Sequence, residues 1–185
     1  MSAAVDSHAH FNLALIPEDD EFRERCIELA QSNCKELADG YLLGEEALPH
    51  VTVCQFTAAP GDLPHIWTNF ADLKDELQSI LFRHIYVQYG KEDMLGKLWT
   101  GLSVTYEPRV TEFQKLCFER LLKIGIQSGN TPERYFPHLT FARCDATKTL
   151  SVQKAPPNSL WLTRYAFRLT IGESDELGRY HRRLL

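Results

Sequence analysis

Two short segments of this 185-residue chain repeat the pattern proline, histidine, apolar residue, threonine, apolar residue. The first copy spans residues 49–53 and the second spans residues 137–141. The chain holds only 7 histidines, so chance accounts poorly for two copies with the same flanking residues. The repeated motif is therefore the strongest indication in the sequence of where chemistry takes place.

The motif residues suit acid–base chemistry at a phosphate. Each copy lies in a short β-type run, in which side chains alternate between the two faces of a strand, so His50 and Thr52 share a face, as do His138 and Thr140. Two histidines facing one cleft can withdraw and donate protons near neutral pH. A threonine hydroxyl can donate a hydrogen bond to a developing oxyanion. Because the sequence shows no serine or cysteine elbow, the pattern favours direct attack by water or a ribose hydroxyl on a phosphodiester.

Arg143 follows the second motif and is a further candidate for binding a phosphate. Its planar guanidinium matches a phosphate with two parallel hydrogen bonds. Strict alternation places Arg143 on the opposite face from Thr140, so this side chain needs a β-bulge or the end of the strand to reach the site. A shift of 88 residues, the spacing between the two histidines, places Gln55 at the position of Arg143. The two halves are therefore not chemically equivalent.

The same shift reveals a longer duplication. It aligns the apolar segment 11–16 with 99–104, and each is followed by a charged amphipathic segment and then by a motif. We expect two pseudo-symmetric lobes, with repeats at about 11–56 and 99–143. The two histidines would then face each other across the seam between the lobes.

Hydrophobic periodicity predicts the elements that position the motifs. Three amphipathic helices are predicted at about 20–39, 66–80 and 108–124, and no structure is assigned to 145–158. Strands are predicted at 11–16, 48–56, 84–89, 98–105, 135–142, 165–171 and 179–185. Because the closing strands are sequential and linked by a hairpin-like turn, an α+β fold of mostly antiparallel sheet is favoured over a doubly wound parallel sheet.

Composition predicts a small soluble protein. The content of 44% hydrophobic and 24% charged residues is typical of a globular domain, and we expect a single bilobal domain over 1–185. Five scattered cysteines argue against a disulfide framework or a zinc ribbon and favour a reducing compartment. Residues 1–10 lack a signal-peptide pattern, and apolar runs fall short of the roughly 20 residues that span a bilayer. A net charge of −5 argues against coating of nucleic acid. Together with the cysteines and the missing signal pattern this predicts a cytoplasmic protein, and we expect a monomer.

Two other segments allow a different interpretation. Residues 6–10 read Asp-x-His-x-His, as in the metal-binding start of barrel amidohydrolases, but the chain is shorter than the roughly 250 residues of a TIM barrel. A solvated N-terminal segment is therefore favoured. Residues 179–183 form either a phosphate-binding patch or an exposed edge strand, and the edge strand is favoured.

Tandem motifs of this form, separated by about 90 residues, resemble those of the 2H phosphoesterase superfamily. That group includes bacterial 2′-5′ RNA ligase-like proteins and plant-type cyclic phosphodiesterases. The resemblance covers nearly the whole chain. It implies a bilobal α+β fold with flanking helices and a central cleft that works without a metal or another cofactor. It also implies hydrolysis of a 2′,3′-cyclic phosphate on an RNA end or a nucleotide, or reversible 2′-5′ ligation.

The resemblance assigns roles to the motif residues. It implies that His50 and His138 are the acid–base pair and that Thr52 and Thr140 donate to the phosphate. The second motif continues to Arg143 as it does in the RNA ligase-like branch, which implies substrate binding by this arginine.

The resemblance leaves two questions open. The base-stacking aromatic residue of the superfamily has no fixed motif, and Tyr135, Phe136 and Trp67 are candidates. A second class of function is a binding module that grips a nucleotide or RNA end without turnover. Retention of both histidines and both threonines favours the enzyme, because binding alone does not require all four.

Overall fold

The structure is a computed structural model that describes residues 8–90, 96–148 and 155–185. Within these ranges the chain forms nine strands and four α-helices. The strands are β1 Ala9–Pro17, β2 Ala38–Leu42, β3 Val51–Ala58, β4 Leu77–Ile80, β5 Phe82–Tyr89, β6 Lys97–Val104, β7 His138–Asp145, β8 Tyr165–Ser174 and β9 Tyr180–Arg183. The helices are α1 Asp20–Cys34, α2 Leu63–Thr68, α3 Pro108–Lys123 and α4 Asn158–Leu162. Asp6, most of the turn between 90 and 96, and residues 149–154 of the unassigned connector lie outside the described residues.

The strands build two antiparallel sheets, one for each motif. The first sheet has the order β3-β1-β8-β4, with β9 also paired to β8, and it carries the strand of the first motif. The second sheet has the order β2-β7-β6-β5 and carries the strand of the second motif. This arrangement confirms the predicted α+β fold with two lobes of antiparallel sheet and flanking helices.

The two lobes share one hydrophobic core. On β1 the side chains of Phe11, Leu13 and Leu15 are buried, and each such side chain contributes about 1.5–3 kcal/mol on transfer from water. Helix α1 belongs to the first half of the chain but packs against β7 in the second sheet, whereas α3 packs against β3 in the first sheet. Because each half sends its helix across to the other sheet, the halves are interlocked.

Helix α1 begins at a side-chain cap. The carboxylate of Asp19 accepts a hydrogen bond from the Phe22 backbone N–H at 2.8 Å, a contact that stabilises a helix by about 1 kcal/mol. The buried residues of α1 recur at helical spacing and form its core-facing stripe: Phe22, Cys26, Leu29, Ala30 and Cys34. All five cysteines of the chain are buried free thiols. Each helix in the described ranges is too short or too polar to span a bilayer.

The duplication is present, with one difference in register. Ala14 pairs with Thr52 and Gly101 pairs with Thr140, so the first strands of the two halves correspond at an offset of 87 residues, from 101 − 14. The motif strands keep the offset of 88 residues, from 140 − 52. Asn12, rather than Phe11, therefore occupies the position of Trp99. The predicted alignment of 11–16 with 99–104 is off by one residue.

Two predicted elements differ from those observed. The helix predicted over 66–80 ends at Thr68, and its last four residues form β4, which pairs with β8. In β4 the side chains of Gln78 and Ile80 are buried and that of Leu77 is exposed, so the helical spacing of Leu77 and Ile80 does not describe the buried face. Pairing with β8 makes this segment a strand. The sequence also predicts no strand at Ala38–Leu42, where Gly40 adopts φ +80° and β2 joins the edge of β7.

Candidate active site

A cleft of about 370 Å³ brings the two motifs together. Its lining includes Thr52 on β3 and His50, which immediately precedes that strand, and His138 and Thr140 on β7. The four motif residues predicted from the sequence therefore lie around one cavity, although they come from strands 88 residues apart in the chain.

The two histidine rings are anchored in the same way. His50 Nδ1 lies 2.7 Å from the carbonyl oxygen of Leu48, and His138 Nδ1 lies 2.6 Å from the carbonyl oxygen of Phe136. A carbonyl can only accept a hydrogen bond, so Nδ1 is the donor in both rings. The proton that each neutral ring carries is thus placed on Nδ1, and Nε2 is left to exchange protons with a ligand.

Burial disfavours the protonated form of both rings. Desolvation is the largest cause that lowers the pKa of His50 to about 4, and the charge of His138 acts in the same direction, whereas the carbonyls of Leu48 and Gly178 oppose the shift. Desolvation also lowers the pKa of His138, opposed by the Phe136 carbonyl. Because the charges repel, protonation of one ring disfavours protonation of the other. The pair is therefore suited to carry one exchangeable proton between them.

A β-bulge follows the threonine in both motif strands. On β3 the extra residue is Val53, and on β7 it is Phe141, at the equivalent position. A bulge inserts one unpaired residue and so reverses the alternation of faces beyond it. Gln55 and Arg143 consequently lie on the same face as the motif threonines, which strict alternation would not allow.

The Arg143 guanidinium is engaged next to the cleft. Its Nε donates a hydrogen bond to the backbone oxygen of Asp39 at 2.6 Å, and the group lies 5.9 Å from the centre of the Trp99 ring. Trp99 lines the cleft, whereas Arg143 is not among the described lining residues. Contact between Arg143 and a phosphate remains a prediction.

Tyr86 joins the site, although it belongs to no sequence motif. Its hydroxyl lies 3.0 Å from Thr140 Oγ1, and its ring stands edge-on to His138 at a centroid distance of 4.9 Å. Burial raises the pKa of Tyr86, so its hydroxyl stays protonated and can donate to Thr140. Tyr180 occupies a comparable place beside His50 at 5.3 Å. Alternation within the predicted strand 84–89 was the one available signal for Tyr86.

The three aromatic candidates lie in different environments. Phe136 is 44% exposed and stacks on His138 at 5.3 Å, next to the cleft. Tyr135 instead donates a hydrogen bond to the backbone oxygen of Thr52 at 3.0 Å. Trp67 packs on the buried Phe70 of the neighbouring turn and is not a described lining residue. The described aromatic residues that do line the cleft are Tyr41, Tyr86, Tyr89 and Trp99.

Neutral polar groups complete the described lining. Amides come from Gln55, Gln88 and Asn130, and the described lining residues include no Asp, Glu, Lys or Arg. Across the described ranges of the chain, no group of three or more His, Cys, Asp or Glu side chains is placed to hold a metal ion. A phosphate in this cleft would therefore meet hydrogen-bond donors on hydroxyl, imidazole and amide groups.

Comparison of the fold identifies its class. A crystal structure of a phosphoesterase matches this chain with a TM-score of 0.59 and 16% sequence identity, over 97% of both chains. The chain thus shares the fold of that phosphoesterase, which agrees with the architecture implied by the tandem motifs. The MHV ns2 PDE domain matches with a TM-score of 0.49 and 16% identity, over 87% of this chain and 99% of that domain. No family model matches the sequence, and no curated protein matches it.

Proposed function

We propose that this protein is a phosphodiesterase that opens 2′,3′-cyclic phosphates on RNA ends or nucleotides, with His50 and His138 as its acid–base pair. The observation that carries the proposal is the matched anchoring of the two rings. Each Nδ1 donates to the carbonyl of the residue just before its motif, and each ring lines the same cleft beside a threonine. The phosphoesterase fold supports the same class of reaction.

The reaction needs two proton transfers on opposite sides of phosphorus. One histidine takes a proton from the attacking water as the new P–O bond forms. The bond between phosphorus and one ribose oxygen breaks, and the other histidine delivers its proton to that oxygen, which leaves a phosphomonoester. Each transfer contributes roughly a hundred- to ten-thousandfold in rate. When the 5′-hydroxyl of a second RNA end attacks in place of water, the bond between phosphorus and the 3′-oxygen breaks, and that oxygen takes up the delivered proton. The same two transfers then leave a 2′-5′ phosphodiester, which is ligation.

The threonine hydroxyls would bind the non-bridging oxygens of the phosphate. Thr140 Oγ1 can accept a hydrogen bond from Tyr86, which leaves its own proton for the substrate. Thr52 lies in the equivalent position on the first sheet. Donors placed where negative charge develops stabilise the transition state more than the ground state.

The proposal is tested by turnover of a 2′,3′-cyclic nucleotide, with 3′,5′-cyclic and 2′-5′-linked compounds as alternative substrates. His50→Ala, His138→Ala and the double variant should fall to a similar low kcat/KM, because the two transfers are coupled. His65→Ala, at an exposed histidine of α2, is the matched control and should behave as wild type. Near-wild-type turnover in either single variant would refute the paired mechanism. Tight binding of the nucleotide without turnover in the wild type would instead identify a binding module.

A further inference from the structure

One residue of the cleft lies outside both motifs and is held in place by a network of its own. Asn130 lies in the loop between α3 and β7 and lines the same cleft as the motif residues. Its Oδ1 accepts a hydrogen bond from the backbone N–H of Gln55 at 2.8 Å, and its own N–H donates to Ser128 Oγ at 3.2 Å. Its carbonyl oxygen accepts from Gln114 Nε2 at 2.9 Å.

The support from Gln114 comes at a cost in stability. Gln114 is fully buried on the apolar face of α3, among Val110, Phe113 and Cys117. Its Oε1 has no hydrogen-bond partner within the described part of the chain. A buried polar group left unsatisfied costs about 1–3 kcal/mol. An apolar side chain would pack this helix without that cost, so the amide is present to hold the loop.

The network also fixes the direction of the Asn130 amide. Since Oδ1 faces an N–H donor, the oxygen and nitrogen of the amide cannot exchange places. The Nδ2 group has no partner among the described residues and is the part of the amide left to bind a ligand. Asn130 therefore presents a donor, held by three hydrogen bonds, to a cleft that already holds the acid–base pair.

The opposite side of the cleft has a different character. There β2 forms an edge strand whose pairing with β7 is irregular between Ala38 and Tyr41, and Tyr41 pairs with Arg143. On the first sheet the equivalent edge is the loop, where Gly129 N–H donates to the Gln55 carbonyl at 3.1 Å and the Asn130 side chain takes the place of a strand carbonyl. The aromatic ring of Tyr41 thus lies at one edge of the cleft, and the oriented amide of Asn130 lies at the other.

We propose that Asn130 determines substrate specificity by donating a hydrogen bond from Nδ2 to an acceptor of the substrate beside the scissile phosphate. The proposal rests on the phosphodiesterase function proposed above. The acceptor is either a carbonyl oxygen of the nucleobase or an oxygen of a second phosphate, since both present lone pairs to an N–H donor.

The substitution Asn130→Asp tests this role with little change of shape. The new carboxylate still accepts from the Gln55 N–H, but it replaces the Nδ2 donor by a negatively charged acceptor. We expect KM to rise roughly tenfold or more with a smaller change in kcat, because one hydrogen bond is lost and a repulsive contact is gained. Gln127→Glu is the control, because it adds the same charge at an exposed residue of the same loop. Gln127 is not among the described residues that line this cleft, so the control should leave KM within about twofold of wild type.

The choice of substrates distinguishes the two acceptors. Adenine, unlike uracil, cytosine and guanine, has no carbonyl. If Asn130→Asp raises KM more for the cyclic nucleotides of those three bases than for that of adenine, the acceptor is a base carbonyl. If the rise in KM is larger for nucleotides that carry a 5′-phosphate, the acceptor is an oxygen of that phosphate. A KM within twofold of wild type for Asn130→Asp on every substrate overturns the proposal, while the phosphodiesterase function stands.

Failure of the proposed phosphodiesterase function can be told apart from failure of the proposed role of Asn130. If the wild type turns over none of these nucleotides, the phosphodiesterase proposal is wrong, and titration calorimetry with the same compounds then tests Asn130 by affinity alone. Weaker binding by Asn130→Asp than by Gln127→Glu supports a hydrogen bond from Asn130 Nδ2 to the ligand. Equal affinities of the two variants overturn that proposal.

Discussion

Burial of His50 should make the stability of the protein depend on pH in a predictable window. Desolvation lowers the pKa of this ring from its ordinary 6.5 to about 4 in the folded state. Between these values the unfolded chain binds more protons at this site than the folded chain, so acidification favours unfolding. The stabilising effect is fully present above about pH 6.5 and is lost as the pH falls towards 4.

The size of this effect follows from the two pKa values. For a single site, lowering the pH from 7 to 5 reduces the free energy of unfolding by about 2 kcal/mol. His50→Gln removes the titrating group and keeps an uncharged polar side chain of similar length. We therefore expect the difference between the free energies of unfolding at pH 7 and pH 5 to be about 2 kcal/mol smaller in the variant than in the wild type.

Urea unfolding at pH 7, 6 and 5 measures these free energies directly. His138 and the carboxylates titrate in both proteins, so the comparison of wild type with His50→Gln measures the contribution of His50 together with its coupling to His138. His65→Gln replaces an exposed histidine and should retain the wild-type dependence on pH. Equal dependence in His50→Gln and wild type would refute the argument, because it would show that desolvation does not hold the ring neutral.

Three further predictions concern the reaction. Tyr86→Phe keeps the ring beside His138 but removes the hydroxyl that contacts Thr140. Its kcat/KM should fall roughly three- to tenfold, which is less than the fall in His138→Ala. An unchanged value would show that the hydroxyl does not orient the threonine. Arg143→Lys keeps the charge but loses the planar fork, and kcat/KM should fall roughly tenfold or more; wild-type kinetics would confine this arginine to its contact with Asp39. Turnover should survive an excess of chelator, and activity restored by one divalent metal after chelation would contradict the proposed metal independence.

Some features of the site could not be read from the sequence, because they depend on how strands pair. The bulges at Val53 and Phe141 turn Gln55 and Arg143 to the cleft side, whereas side-chain alternation alone puts them on the other face. Tyr86 is one apolar-type residue in an ordinary strand, and only the neighbouring β6 and β7 bring its hydroxyl to Thr140.

The repeated motif predicted four of the residues that line the cleft, and the duplication together with the order of the predicted elements indicated the antiparallel two-lobed fold. This was possible because a strand has a period of two, so local spacing fixes which side chains share a face. The tertiary structure alone decided that Leu77–Ile80 is a strand and that Asn130 reaches the cleft. Both outcomes depend on partners distant in the chain, β8 for the strand and Gln55 for the loop, and local propensity carries no information about such partners.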